Sequence, residues 1–239
     1  YKPNTDQLED FFQLNRSIYT PNDFVANRGV YERVVRFREL LARLIKENTE
    51  PSETVKMYDI LKRTYLLTAR DNFEDYMIAL EWNRPPEKKF YQPRQKVLRP
   101  LVKARQALAD DRLDELFLSM PPRVGKTTLV MFFITWLIGR DSEKSNLYSA
   151  FSDKITYAMY TGVLEVINDP DTYKWHDIFP LQTVAATNAK NETINIDRNK
   201  RYPSITCRSI DSTLNVACDA NGFIISDDLV GGIEEAMSK

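Results

Sequence analysis

One short segment constrains the fold of this chain more than any other. An apolar run at residues 116–120 stops at Pro121-Pro122, and Gly125-Lys126-Thr127-Thr128 then opens a segment that stays apolar almost as far as Arg140. This order predicts a buried strand, a loop and a buried helix. Such a helix N-terminus favours a polyphosphate, because free backbone N–H groups and the helix dipole face the negative charge.

The residue types in this loop suit a nucleotide that is bound together with Mg²⁺. Lys126 can reach the outer phosphates, the Thr127 hydroxyl can coordinate the metal ion, and Gly125 allows a close approach of the backbone. In the usual phosphate loop an earlier glycine precedes the Gly-Lys pair, and Met120 stands in its place here. Taken alone, the motif also fits a helix cap with one solvated lysine.

A second motif lies later in the chain. The apolar run Phe223–Ile225 is followed by Ser226 and then by Asp227 and Asp228. In P-loop nucleotide hydrolases, the first acid after such a strand binds the metal, and a neighbouring acid orients or deprotonates the attacking water. Two adjacent acids without a basic neighbour also fit a solvated turn, but they are unfavourable without a cation. The pairing with the phosphate loop therefore favours a pair of acids beside a bound metal ion over a solvated turn.

The remaining pattern predicts an α/β protein with a helical N-terminal region. Helices are predicted at residues 22–46, 51–70, 71–81, 93–109, 125–140 and 153–168. Strands are predicted at residues 116–120, 146–151, 193–197, 204–209 and 223–227. The strands at 193–197 and 204–209 are expected to form a hairpin or paired strands. Alternating strands and helices favour a mainly parallel sheet. The charged, proline-rich stretch 84–89 predicts a boundary between a helical region at 1–84 and a core at 85–239.

These motifs resemble those of the ATPase part of the large terminase subunit of tailed bacteriophages, the motor that packages DNA into a procapsid. Met120–Thr127 looks like the phosphate loop of that family, in which Pro-Pro-Arg replaces the early glycine. Further segments that resemble the family are Ser149–Asp153, Asp169–Tyr173, Ile178–Pro180 and Asp227-Asp228 with Glu234–Ser238. The likeness runs from about Phe73 to Lys239, and it implies a P-loop NTPase core of the ASCE type.

The resemblance also implies roles for individual residues. Lys126 and Thr127 become phosphate and Mg²⁺ ligands, with Asp227 as the second metal ligand. Arg123 becomes the loop arginine that stabilises phosphate charge or senses the γ-phosphate, which suits a guanidinium because its fork of donors is permanently charged. Gln95 resembles the glutamine that reads adenine, with Gln92 as a competitor. The implied nucleotide-binding set is Gln95, Pro122, Arg123, Val124, Gly125, Lys126, Thr127 and Thr128.

The position of the catalytic acid departs from the family pattern. Many relatives place Glu after the metal-binding Asp, whereas Asp228 is one methylene shorter. The catalytic carboxylate is therefore Asp228, or Glu234 or Glu235 reaching back. Adjacency to a rigid strand end favours Asp228. Together with Lys126 and Arg123 it forms the predicted catalytic set.

The implied activity is Mg²⁺-dependent ATP hydrolysis that moves double-stranded DNA into a procapsid. The implied partners are the portal protein and the small terminase subunit, and the implied assembly is a homo-oligomeric ring. A P-loop helicase or other DNA translocase and a non-catalytic nucleotide-binding assembly protein remain as alternatives. Because the sequence ends soon after Asp228, we expect it to lack the end of the ATPase core and the nuclease domain, and to show no metal-dependent DNA cleavage.

Composition excludes several other classes. The 33 Lys and Arg residues balance 34 Asp and Glu residues, so any DNA contact must come from a local cluster. The longest apolar run is far shorter than the roughly 18–20 residues that cross a bilayer. A single histidine argues against His-rich zinc sites. Two cysteines and no charged-then-apolar leader favour a reducing cytoplasm, which for a phage protein is that of the host.

Overall fold

The chain forms two compact units, at residues 1–114 and 115–239. The structure is a computed structural model that describes residues 2–21, 23–121, 123–210 and 220–229. The division falls later than the sequence boundary at 84/85, so residues 85–114 group with the N-terminal helices. Within the described ranges, no helix is long and apolar enough to cross a membrane.

The N-terminal unit is helical, as the sequence predicts. Its helices are α1 (Thr5–Ser17), α2 (Phe24–Glu47), α3 (Pro51–Thr68), α4 (Phe73–Leu80) and α5 (Gln95–Ala109), with 3₁₀ turns at Pro86–Lys88 and Gln92–Arg94. The sequence-based prediction has no counterpart of α1. A capping box starts this helix, because the Asn4 side chain accepts from the Gln7 N–H and the Gln7 side chain accepts from the Asn4 N–H.

A buried ion pair joins α2 to α4. Arg38 Nη1 donates to both carboxylate oxygens of Asp75 at 2.9 Å. The other guanidinium nitrogens donate to Thr64 and Thr68, and the guanidinium carbon lies 3.9 Å from the centre of the Tyr65 ring. Removing two charges from water is costly, so this pair depends on its full set of hydrogen bonds. Beside it, an apolar core joins α1, α2 and α3 through Leu8, Phe12, Phe37, Leu41, Leu44, Met57 and Ile60.

The C-terminal unit combines three described helices with one sheet. The helices are α6 (Lys126–Arg140), α7 (Asp153–Asn168) and α8 (Trp175–Ile178). The strands are β1 (Asn146–Ala150), β2 (Val184–Asn188), β3 (Thr193–Ile196), β4 (Ile205–Ser209) and β5 (Ile224–Asp227). Among the described residues they form a five-stranded sheet in the order β2-β3-β4-β1-β5. The α/β class is therefore confirmed.

The sheet is mixed, with a parallel core of β4, β1 and β5, and the predicted pairing of residues 193–197 with 204–209 is confirmed. Strand β1 pairs in parallel with β4 and β5, whereas β3 is antiparallel to both β2 and β4. A parallel connection needs a crossover of about a dozen residues or more. The connections at 189–192 and 197–204 are shorter than that, so they reverse the chain instead.

The strand predicted at residues 116–120 is not formed. Phe117, in the middle of this run, is 88% exposed. An apolar run indicates a tendency to be buried, but a strand exists only where a neighbouring strand completes its backbone hydrogen bonds. The segment is followed by α6, which is buried along most of its length as its apolar sequence predicts.

The Arg38–Asp75 pair gives a direct test of this fold. The substitution Asp75→Ala leaves a buried guanidinium without its carboxylate, so we expect the free energy of unfolding to fall by about 3–5 kcal/mol. Chemical denaturation followed by circular dichroism measures the change. The control is Glu32→Gln, because Glu32 lies 3.8 and 3.9 Å from the exposed Arg28 and Arg36 and its loss should cost at most about 1 kcal/mol. Equal effects of the two substitutions would contradict a structural role for the buried pair.

Candidate functional site

The predicted site residues meet at one edge of the sheet. The parallel strands β4, β1 and β5 end side by side, with Ala150 opposite Ser209 on one side and opposite Asp227 on the other. In open α/β sheets, ligands bind at this carboxyl edge. The first turn of α6 reaches the same edge, because its side chains contact Asp227.

Asp227 is the buried centre of this arrangement, with 4% of its surface exposed. Lys126 Nζ lies 2.9 Å from Asp227 Oδ1, and Thr127 Oγ1 donates to Oδ2 at 3.2 Å. The Tyr148 hydroxyl also donates to Oδ2, at 3.5 Å. A buried carboxylate is stable only when its charge is compensated, and here one ammonium and two hydroxyls compensate it.

Asp228 has the opposite environment, since 59% of its side chain is exposed. Its carboxylate also accepts a hydrogen bond from Lys126 Nζ, and its backbone carbonyl accepts from the Phe151 N–H at 3.0 Å. The hydrogen bond to Asp228 and the contact with Asp227 raise the pKa of Lys126, whereas burial acts in the opposite direction. The lysine is therefore charged and held between both acids.

The backbone around the site adopts unusual conformations. Gly125, the N-cap of α6, has φ 96°, Arg123 has φ 67° and Asp228 has φ 44°. Left-handed conformations of residues other than glycine cost energy and concentrate at functional sites. Gly125 has no side chain with which to cap the helix, so the first N–H groups of α6 can bind a ligand instead. Arg123 is exposed beside them.

Tyr148 is the site residue that the sequence reasoning missed. It is fully buried on β1 and pairs in register with Ile225, which places it on the same sheet face as Asp227 because side chains alternate along a strand. Burial, and next the charge of Asp227, raises the pKa of Tyr148, so the hydroxyl remains a donor. The sequence signal for Tyr148 was an aromatic residue two positions before the end of a strand. This signal places Tyr148 beside Asp227 only when the register between β1 and β5 is known.

Not every predicted residue belongs to this cluster. The structure brings together Lys126, Thr127, Asp227 and Asp228, with Arg123, Val124, Gly125 and Thr128 in the same loop and helix start. Pro122, Glu234 and Glu235 lie outside the described residues. Gln92 and Gln95 belong to the N-terminal unit.

Gln95 lies on the wall of a cavity of about 290 Å³ within the N-terminal unit, together with Tyr31 and Tyr65. Its Nε2 donates to Glu74 Oε1 at 2.7 Å, and Glu74 also accepts from Tyr91. Reading an adenine edge requires a carboxamide to donate and to accept. One of the two N–H donors of the Gln95 carboxamide is engaged with Glu74 here.

The site fits a metal ion that arrives with a nucleotide. Within the part of the chain that the structure describes, no group of three or more His, Cys, Asp and Glu side chains could hold a metal ion. Magnesium in nucleotide sites usually takes one or two protein ligands and completes its shell with water and phosphate oxygens. The Thr127 hydroxyl and the Asp227 carboxylate are oxygen ligands of this kind, 3.2 Å apart.

Comparison with known proteins finds no family model, no curated protein and no solved structure that matches this chain.

The conformation of Gly125 generates a prediction with a matched control. Gly125→Ala places a Cβ at φ 96°, and we expect a loss of about 1–2 kcal/mol in unfolding free energy together with weaker nucleotide binding. Gly29→Ala, in the interior of α2, should instead raise stability by about 0.5–1 kcal/mol, because the new Cβ meets only Arg33 Nη1, at 4.0 Å. Thermal unfolding and nucleotide titration measure both. The same sign of effect for the two substitutions would refute a left-handed requirement at Gly125.

Proposed function

We propose that this chain is a Mg²⁺-dependent ATPase whose site is formed by the start of α6 and the end of β5. The observation that carries the proposal is the contact of Lys126 and Thr127 with Asp227, across 100 residues of sequence. If Lys126 were only a solvated lysine at a helix cap, and Asp227-Asp228 only a solvated turn, no physical interaction would bring them into contact. A helix N-terminus, an ammonium, a hydroxyl and two carboxylates at one sheet edge are the groups that phosphoryl transfer needs.

In this proposal each group has a defined task. Lys126 and the first N–H groups of α6 bind the phosphates, and Thr127 and Asp227 would hold Mg²⁺, which would supply positive charge beside the phosphate oxygens. Arg123 adds a fixed fork of donors for the γ-phosphate. Tyr148 keeps the Asp227 carboxylate in place by donating a hydrogen bond to one of its oxygens.

The contact between Lys126 and Asp228 suggests how binding activates the site. Phosphate oxygens compete with Asp228 for the Lys126 ammonium, and their binding frees the exposed carboxylate. Asp228 then orients a water molecule and accepts its proton while the water oxygen bonds to the γ-phosphorus. The bond from that phosphorus to the bridging oxygen breaks, and ADP and inorganic phosphate leave.

The wider proposal is that hydrolysis drives double-stranded DNA into a procapsid in the host cytoplasm. Its support is the resemblance of the phosphate loop and the acidic strand end to the motifs of large terminase subunits, in which a ring of subunits acts with a portal protein and a small subunit. The Pro-Pro-Arg sequence at 121–123 is the feature that favours this class over other P-loop enzymes, and Arg123 adopts a left-handed conformation.

Lys126→Ala tests the proposal. It removes the ammonium that meets the phosphates, so we expect ATP hydrolysis to fall by roughly a hundred- to a thousandfold, measured as phosphate release. Lys190→Ala, an exposed lysine of the same unit, should leave the rate unchanged. Near wild-type hydrolysis by Lys126→Ala would refute the ATPase assignment. If the substitution abolishes hydrolysis but packaging of linear DNA into procapsids persists, the wider proposal fails alone.

The two acids should separate metal binding from turnover. Asp228→Asn should keep Mg²⁺-dependent nucleotide affinity but slow turnover by roughly a hundredfold or more, because an amide cannot accept the proton from water. Asp227→Asn should weaken the Mg²⁺-dependent part of binding itself. Magnesium titrations with a fluorescent nucleotide and single-turnover phosphate release measure the two effects. Full activity of Asp228→Asn, with loss in Glu234→Gln or Glu235→Gln, would show that the catalytic acid is assigned wrongly.

A further inference from the structure

We propose that the N-terminal unit carries a self-association surface, in which α1 and its C-cap residue Ile18 pack against the same segment of a second copy. The surface consists of an apolar stripe on α1, the cleft between α1 and α2, and charged residues on both sides of the stripe. It is independent of the proposed ATPase, because no residue of the nucleotide site takes part.

The apolar stripe is exposed although α1 already has a buried face. Leu8 and Phe12 face the core, whereas Phe11, Leu14 and Ile18 are 38%, 62% and 50% exposed. Steps of three and four residues between these three positions give the spacing of a coiled-coil seam. Exposed apolar surface of this kind marks interaction sites, and nothing in the fold of the N-terminal unit requires this stripe to be apolar.

The stripe continues into a cleft between α1 and α2. The cleft has a volume of about 310 Å³, and its walls include Phe11, Phe37 and Leu40. The centres of the Phe11 and Phe37 rings, which both line the cleft, lie 4.7 Å apart. The apolar surface is therefore wider than one helix, and it offers a groove beside the seam.

Opposite charges border the two sides of this surface. Arg33 and Arg36 line the cleft on the α2 side, where Arg33 Nε donates to the neutral Asn15 side chain at 3.2 Å and Arg36 lies 3.9 Å from Glu32. Asp6 and Asp10 are exposed on α1. Asp6 directly precedes Gln7, and Asp10 directly precedes Phe11, and both of these following residues line the cleft. One position corresponds to a rotation of about 100° around the helix. Asp6 and Asp10 therefore lie on the side of the stripe that faces away from α2.

One direction of a two-fold axis brings the opposite charges of two copies together. A two-fold axis parallel to α1 exchanges the two sides of the stripe, so the aspartates of each copy face the arginines of the other. An axis perpendicular to α1 would oppose like charges. In the parallel arrangement Phe11, Leu14 and Ile18 each meet their own counterpart, as seam residues do in parallel coiled coils. A second copy of this chain therefore matches both the apolar and the charged parts of the surface.

The proposed contact is small and isologous. It spans about two helical turns, so we expect a weak, concentration-dependent dimer at the low end of the interface sizes. A ring requires a head-to-tail contact that joins two different surfaces, so this dimer is a separate association of the same chain.

The first test is the mass of the whole chain by analytical ultracentrifugation over a wide range of concentration. The wild type should shift from monomer to dimer, and Leu14→Glu should remain monomeric. The matched control is Val97→Glu on α5, since Val97 is 61% exposed and Leu14 is 62% exposed; it should dimerise like the wild type. A wild type that is monomeric throughout, or a dimer that survives Leu14→Glu, would overturn the proposal.

The second test exchanges the charges. One variant combines Arg33→Asp with Arg36→Asp, and the other combines Asp6→Lys with Asp10→Lys. Each should be monomeric alone, because like charges then face each other across the two-fold axis. An equimolar mixture should dimerise, and added salt should weaken that dimer. Circular dichroism confirms that each variant is folded. Homodimers of either variant alone, or no dimer in the mixture, would refute the charge pairing.

Discussion

The buried carboxylate of Asp227 is the constraint around which the C-terminal unit arranges its site. A carboxylate with 4% exposure must be compensated by a cation or by several donors. Lys126 is the first residue of α6 and Asp227 is the last residue of β5, so compensation requires the helix start to lie against the strand end. The ion pair thus positions the free N–H groups of α6 at the carboxyl edge of the sheet, which is the arrangement that an anionic ligand needs.

The two adjacent acids differ in environment, and this difference separates their chemistry. Asp227 is buried and held by three groups, whereas Asp228 is largely exposed and shares the ammonium of Lys126. Neighbouring carboxylates with different surroundings can take different roles in one reaction. A fixed carboxylate suits a metal ligand, and a carboxylate that an incoming anion can release suits a group that must act on water.

Local patterns predicted much of this structure, and non-local pairing accounts for most of what they missed. The helices α6 and α7 and the strands β1 and β5 follow from apolar runs and their flanking residues. The failed strand at 116–120 depends on a strand partner, which an apolar run does not specify, whereas the pairing of β3 with β4 was predicted from the sequence. Tyr148 required the register between β1 and β5. Helix α1 was not predicted from the sequence for another reason. Its apolar residues cover both a buried face and an exposed stripe, which obscures the helical period.

The Arg38–Asp75 and Lys126–Asp227 pairs illustrate how a structural charge differs from one that is proposed to bind a ligand. Every guanidinium nitrogen of Arg38 donates to a buried or backbone acceptor, so a ligand could approach only by breaking bonds that the interior cannot replace. Lys126 has one buried partner and one exposed partner. Its hydrogen bond to Asp228 can be exchanged for one to a phosphate oxygen while water solvates the released carboxylate, so the exchange leaves no buried charge uncompensated. The exposure of that second acid would therefore allow the proposed site to bind a ligand without destabilising the fold.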